Sequence, residues 1–138
     1  MRLRLVALAA LALLAVGCGV PGGKEVSPVP GETLVSGAPT GGDPAAGKAV
    51  FAKNACASCH TFTPAGATGK VGPDLDHLPE YAQKANVPLA QYAAEAITSP
   101  PAPYVPPGFP KNAMPTNYGT QLTSQQLADL VAFLTQGH

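Results

Sequence analysis

The chain has 138 residues, with eight Lys or Arg against eight Asp or Glu, three Cys, two Met and no Trp. That length suits one small domain with accessory sequence, and balanced charge without a clustered basic face gives no electrostatic case for nucleic acid. Aromatic residues make up 6% of the chain, so large core side chains are scarce, and a domain with a thin core often needs a metal or cofactor as a staple.

Arg2 and Arg4, the only arginines, form a short positive start. Leu5 to Val16 is an apolar run of twelve residues, too short for a bilayer, which takes roughly 20. Gly19, Pro21, Gly22 and Gly23 end any helix there. Residues 1–17 therefore read as a secretory signal rather than a membrane span. The charged start and the Gly/Pro stop argue against a buried core helix. The junction A-V-G-C, Ala15 to Cys18, resembles the lipobox of bacterial lipoproteins, in which the cysteine is lipidated and becomes the first mature residue. The usual Leu three before that cysteine is Ala15 here, with Leu14 one step earlier. Ala15 and Gly17 also suit an ordinary small-residue cleavage site that would leave a soluble protein. A cysteine directly after the cut favours lipidation at Cys18, and two or more acyl chains would anchor the protein stably.

Residues 18–43 form the next segment. From Gly19 to Asp43, eleven of 25 residues are Gly or Pro and no periodicity is visible, which is linker composition with a flexible span of roughly 25–30 Å. The folded part is expected over 44–138. Asp43 is a good N-cap and Pro44 suits the first helical position, predicting a helix to about Asn54, with Gly47 inside it at some cost. Residues 55–80 read as loop, rich in Gly and Pro. A short helix is expected over 80–85. After Pro88, Leu89, Tyr92, Ala93, Ala96 and Ile97 fall on one helical face, and Ser99-Pro100-Pro101 stops that helix. Residues 99–121 are Pro-rich and irregular, and so long a loop is unusual in a compact domain unless it serves function. Thr123 and Gln126 form a capping-box pattern, with Leu122 and Leu127 placed for a hydrophobic staple. Leu127, Leu130, Val131 and Leu134 then make one apolar stripe beside Phe133, and Gly137 is a plausible stop. No segment keeps strand period, so the fold class is all-α with long irregular loops.

The stretch C-A-S-C-H, Cys56 to His60, carries the chemistry. C-x-x-C-H is the haem c attachment pattern: two thiols three positions apart can each bond one haem vinyl group, and the adjacent His60 can place its imidazole on the iron. Three alternatives compete. A redox C-x-x-C pair needs a thioredoxin-like βαβ context, and none is visible. A zinc site needs four ligands, which only an awkward set of Cys56, Cys59, His60 and His77 would supply. A Cys56–Cys59 disulfide is possible in an oxidising compartment but leaves His60 unexplained.

The second axial ligand decides the task. Met114, in N-A-M-P, follows His60 by 54 residues and lies in the long loop. A gap-filling core Met is the bland alternative, but a polar, Pro-rich loop is a poor core position. His/Met ligation raises the reduction potential and closes the iron to small ligands, which means electron transfer. His138 and His77 are weaker candidates, His77 being better placed at the surface or near a propionate.

With these pieces assembled, the chain from Asp43 to His138 resembles a class I monohaem cytochrome c. The matching pieces are G-K-A-V-F (Gly47 to Phe51), C-A-S-C-H, G-P-D-L (Gly72 to Leu75), N-A-M-P (Asn112 to Pro115) and L-A-D-L-V-A-F-L (Leu127 to Leu134). The resemblance implies a small all-α domain of three to five helices around one covalent haem c. It implies that Gly47 and Phe51 pack against Leu130 and Phe133 where the first and last helices cross. It implies that the Pro73 carbonyl accepts the His60 Nδ1 proton, fixing the imidazole, and that Asn117 hydrogen-bonds near the Met114 sulfur. The stretch Y-V-P-P-G-F-P-K-N-A-M-P is similar to haem c subunits of bacterial respiratory complexes.

For propionate partners the folded part offers no Arg, so Lys70, Lys84, Lys111, Tyr104, Tyr118 or backbone donors are the candidates. From Pro44 onward five Lys balance five acids, so strong steering toward an acidic partner is not indicated. The expectation is a membrane-tethered, extracytoplasmic single-electron carrier that serves respiratory redox proteins. The alternatives are a fixed haem c subunit of an oxidase or quinol-oxidising complex, a haem enzyme or gas sensor with a labile sixth ligand, and a zinc or disulfide module.

Overall fold

Asp43 and Pro44 start the first helix of the domain. In the computed structural model, which describes residues 38–136, the Asp43 side chain accepts from the Ala45 N–H at 2.8 Å and α1 runs Pro44–Lys53. The expected signal, Cys18, the linker up to residue 37, Gly137 and His138 lie outside the described residues. Ala55, in the left-handed region at φ 55°, turns the chain out of α1 into a 3-10 turn at Cys56–Ser58.

The stretch expected to be loop is more ordered than its composition suggested. Thr61–Phe62 (β1) and Ala67–Thr68 (β2) pair antiparallel, Thr61 opposite Thr68 and Phe62 opposite Ala67. This two-residue ladder departs from the expectation of no strand, although the fold stays all-α. Further helices follow: α2 Leu78–Ala85, α3 Leu89–Thr98, α4 Tyr118–Gln121 and α5 Ser124–Thr135. The second begins two residues earlier than expected, and α4 occupies the end of a stretch read as wholly irregular. Thr123 and Gln126 form both bonds of the capping box, at 3.1 and 3.0 Å.

Packing of α1 on α5 organises one end of the domain. A Cβ added at Gly47 would lie 2.0 Å from the Asp129 carbonyl oxygen and 2.7 Å from the Phe133 Cβ, so glycine is what lets these backbones touch. Three rings close that contact: Phe51, Phe62 and Phe133, with centroids 5.3–5.9 Å apart in the tilted and edge-on arrangements aromatic pairs prefer. Asp129, buried on α5, accepts from the Asp43 N–H and from Gln125, each at 2.8 Å, which satisfies a carboxylate that would otherwise be costly to bury. On α3, Tyr92, Ala93 and Ile97 are buried and Leu89 and Ala96 partly so, in keeping with the helical face read from the sequence.

Candidate functional site

Around the cysteine turn the polypeptide encloses a cavity instead of closing on itself. Its walls are Cys56, Cys59 and His60 from the first turn, Gly72, Pro73 and Leu75 from the following loop, Leu78 and Tyr81 of α2, and Tyr92 and Ala96 of α3. The loop Pro100 to Pro115, including Met114, and Tyr118 of α4 complete it. The space between these walls is about 900 Å³, open mouth included. A smaller apolar hollow adjoins Met114, between Ile97, Tyr118, Leu122 and Leu130.

The cysteine turn is built from backbone bonds. The Cys59 and His60 N–H groups both donate to the Cys56 carbonyl, at 3.2 and 3.0 Å. Gly69 and Gly72 then return to it, donating to the carbonyls of His60 at 3.1 Å and Cys59 at 2.8 Å. His60 is oriented twice over. Its Nδ1 donates to the Pro73 carbonyl at 2.7 Å, the acceptor implied by the family resemblance, and its ring lies flat against Gly72. An added Cβ there would stand 2.5–2.9 Å from three ring atoms. With Nδ1 occupied, Nε2 is the nitrogen left to act as a ligand.

Cys56, Cys59, His60, Pro73 and Met114 thus border one cavity, though they come from segments far apart in sequence; Cys18 lies outside the described residues. Met114 is half-buried and also packs against the core. Lys111, Tyr104 and Tyr118 line the cavity, whereas Lys70 and Lys84 do not; the Lys84 ammonium sits 5.4 Å from the Tyr104 ring centroid. Tyr81 and Tyr92 are lining residues that the sequence did not single out for this role. Asn117 is exposed, and it is its carbonyl that accepts, from the N–H groups of Thr120 and Gln121. No side-chain bond ties it to Met114.

The surroundings weigh on the alternatives. Burial pushes the Cys56 thiol up, opposed by a backbone hydrogen bond and reinforced by nearby Cys59; redox C-x-x-C pairs instead depend on a lowered thiol. Both cysteines are free rather than joined. His77 lies exposed at the surface, 3.1 Å from Glu80, and does not border the cavity. Among the described residues no three His, Cys, Asp or Glu side chains converge as a metal set, so the zinc constellation is not assembled.

The cavity fits the group that C-x-x-C-H calls for. It is mainly apolar, with both thiols, an oriented imidazole, a thioether, several phenols and one lysine on its walls. Comparison with known families agrees: the sequence model of the Cytochrome c family matches residues 44–137. No curated protein and no solved structure matches the chain.

Proposed function

The chain belongs to the cytochrome c family of haem-based electron carriers, and from that premise we propose that it is an extracytoplasmic single-electron carrier with one covalent haem c, tethered to the membrane and serving a respiratory chain. The observation that carries this is the meeting of Cys56, Cys59, His60 and Met114 on one apolar cavity, with His60 already fixed by Pro73. When bound, haem c supplies a one-electron iron couple.

The rest is work for the chain's own residues. Cys56 and Cys59 would hold the group covalently, so that it could not be lost outside the cell. His60 would bind the iron through Nε2, its basicity tuned by the bond to Pro73. Met114 would supply the second ligand, closing the site to small ligands and raising the potential. Leu75, Leu78 and Ala96 exclude water, and Lys111, Tyr104 and Tyr118 offer donors for the carboxylates. The lipobox-like Cys18 supports the tether, which raises effective concentration near a membrane partner where balanced charge gives little steering. The extended loop before Met114 favours, as a second reading, a fixed subunit of a larger complex; stable co-purification with membrane subunits would select it.

The test is the optical spectrum of the haem-matured full chain, oxidised and reduced, with and without carbon monoxide. A low-spin spectrum with an iron–methionine signature and no carbon monoxide binding is expected, and Met114→Ala should lower the potential and admit carbon monoxide. An unchanged spectrum in that variant refutes the role of Met114. Cys18→Ala should move the protein from the membrane to the soluble fraction.

A further inference from the structure

Residues 105–116 carry Met114, and among the described residues none of these twelve makes a hydrogen bond to the rest of the domain. A segment of this length with no hydrogen bonds to the rest of the domain keeps much of its conformational freedom unless its ends are fixed. Two phenols fix them. On the amino-terminal side, Tyr92 of α3 donates its hydroxyl to the Tyr104 carbonyl at 2.6 Å. Tyr104 is held further by the Tyr81 ring, 6.1 Å away between centroids, and by the Lys84 ammonium. On the carboxyl-terminal side, Tyr118 donates to the Asn54 carbonyl at 3.3 Å, joining α4 to the end of α1 two residues before Cys56. Gly119 sits close beneath α3, where an added Cβ would lie 2.8 Å from the Thr98 carbonyl oxygen.

We propose that the hydroxyls of Tyr92 and Tyr118 are positioning groups for Met114, suspending loop 105–116 from α3 and α1 and so setting how readily the methionine sulfur leaves its axial position. This rests on Met114 being that ligand. Neither hydroxyl needs to touch the sulfur, since each acts through a backbone carbonyl at one end of the loop. The shorter bond, from Tyr92, contributes more than the longer one, from Tyr118.

The experiment is the rate at which imidazole displaces methionine in the ferric, haem-matured full chain, followed by loss of the iron–methionine signature. Tyr92→Phe keeps the ring and removes only the donor. It should leave the resting spectrum unchanged and speed displacement roughly three- to tenfold, as expected for one hydrogen bond. Tyr118→Phe should act in the same direction with a smaller factor. Thr123→Ala, which weakens the α5 cap without removing either phenol's bond, should leave the rate at the wild-type value; a rate increase there equal to that of Tyr92→Phe would mean global destabilisation and overturn the proposal. Wild-type rates in both phenylalanine variants overturn it too. If Tyr92→Phe does not take up haem, Tyr118→Phe decides alone. A wild-type protein without the methionine signature would fail the ligand assignment itself, a result separable from wild-type protein that has the signature and variants that exchange no faster.

Discussion

Gly72→Ala tests how the imidazole is held. The backbone at Gly72 is not in the left-handed region that alanine avoids, so the perturbation is confined to one methyl group. That methyl would lie 2.5 Å from His60 Cε1, whereas ordinary contact begins near 3.4 Å, and the ring would have to move about 0.9 Å in a packed wall. Because the push comes across the ring face while the 2.7 Å bond to the Pro73 carbonyl lies in the ring plane, the move tilts the Nδ1–H out of line and weakens that bond. Overpacking costs about 1–3 kcal/mol and the weakened bond up to about 1 kcal/mol more. For a domain of this size each kcal/mol lowers the melting temperature by about 4–8 °C, so a fall of about 4–30 °C is expected. The assay pairs thermal unfolding of haem-matured protein with its absorption spectrum and reduction potential. A shifted potential and a high-spin fraction should accompany the lower melting point. If Gly72→Ala matches the wild type in all three, the imidazole does not rest on Gly72 and the account of its orientation is wrong.

Gly47→Ala should destabilise despite adding a better helix former: a gain of about 1 kcal/mol in propensity is outweighed where the methyl meets the Asp129 carbonyl at 2.0 Å, and denaturant midpoints equal to or above wild type would show that α1 and α5 pack less closely. Thr123→Ala should cost about 0.5–2 kcal/mol through loss of the α5 cap, measured by the same denaturation. Burial first, then nearby Tyr81 and Tyr104, pushes the Tyr92 hydroxyl up to about 12 from its ordinary 10.0. The folded state therefore holds that proton more tightly than the unfolded chain, so the stabilisation is intact below about pH 10 and is lost as pH rises toward about 12. Urea midpoints taken across that window should fall more steeply for wild type than for Tyr92→Phe, and parallel curves would deny the shift.

The sequence was most legible where structure is local. Asp43-Pro44, the Thr123–Gln126 box and the spacing of Leu89 to Ile97 each act within one or two turns, and C-x-x-C-H has a spacing few other chemistries use. Phe62 shows the limit. It is fully buried at the centre of the aromatic cluster, yet it sits on a two-residue strand amid Gly and Pro, where no periodicity can register. Tyr92 shows a second limit: its position on a helical face announces burial, but period cannot tell a core wall from a cavity wall. Gly72 was visible only as part of G-P-D-L, because its role depends on an imidazole twelve residues away. The α4 helix escaped notice because it has no side-chain cap and is too short to show a stripe.

The two sides of the cavity are built to different standards, and this bears on what kind of haem protein the chain can be. His60 is bonded through its ring to Pro73, through its N–H to Cys56 and through its carbonyl to Gly69, and it is pressed against Gly72. Met114 lies in a span whose hydrogen bonds are confined to its two ends. If both residues hold the iron as proposed, exchange is expected at Met114 before His60. A carrier and a ligand-binding relative need not differ in their axial residues. On the proposed ligation, Met114 is held more tightly while both phenols anchor the loop and exchanges faster when a hydroxyl is lost. The anchoring of residues 105–116 by Tyr92 and Tyr118 would then tune how closed the site stays, a property that C-x-x-C-H and M-P do not encode.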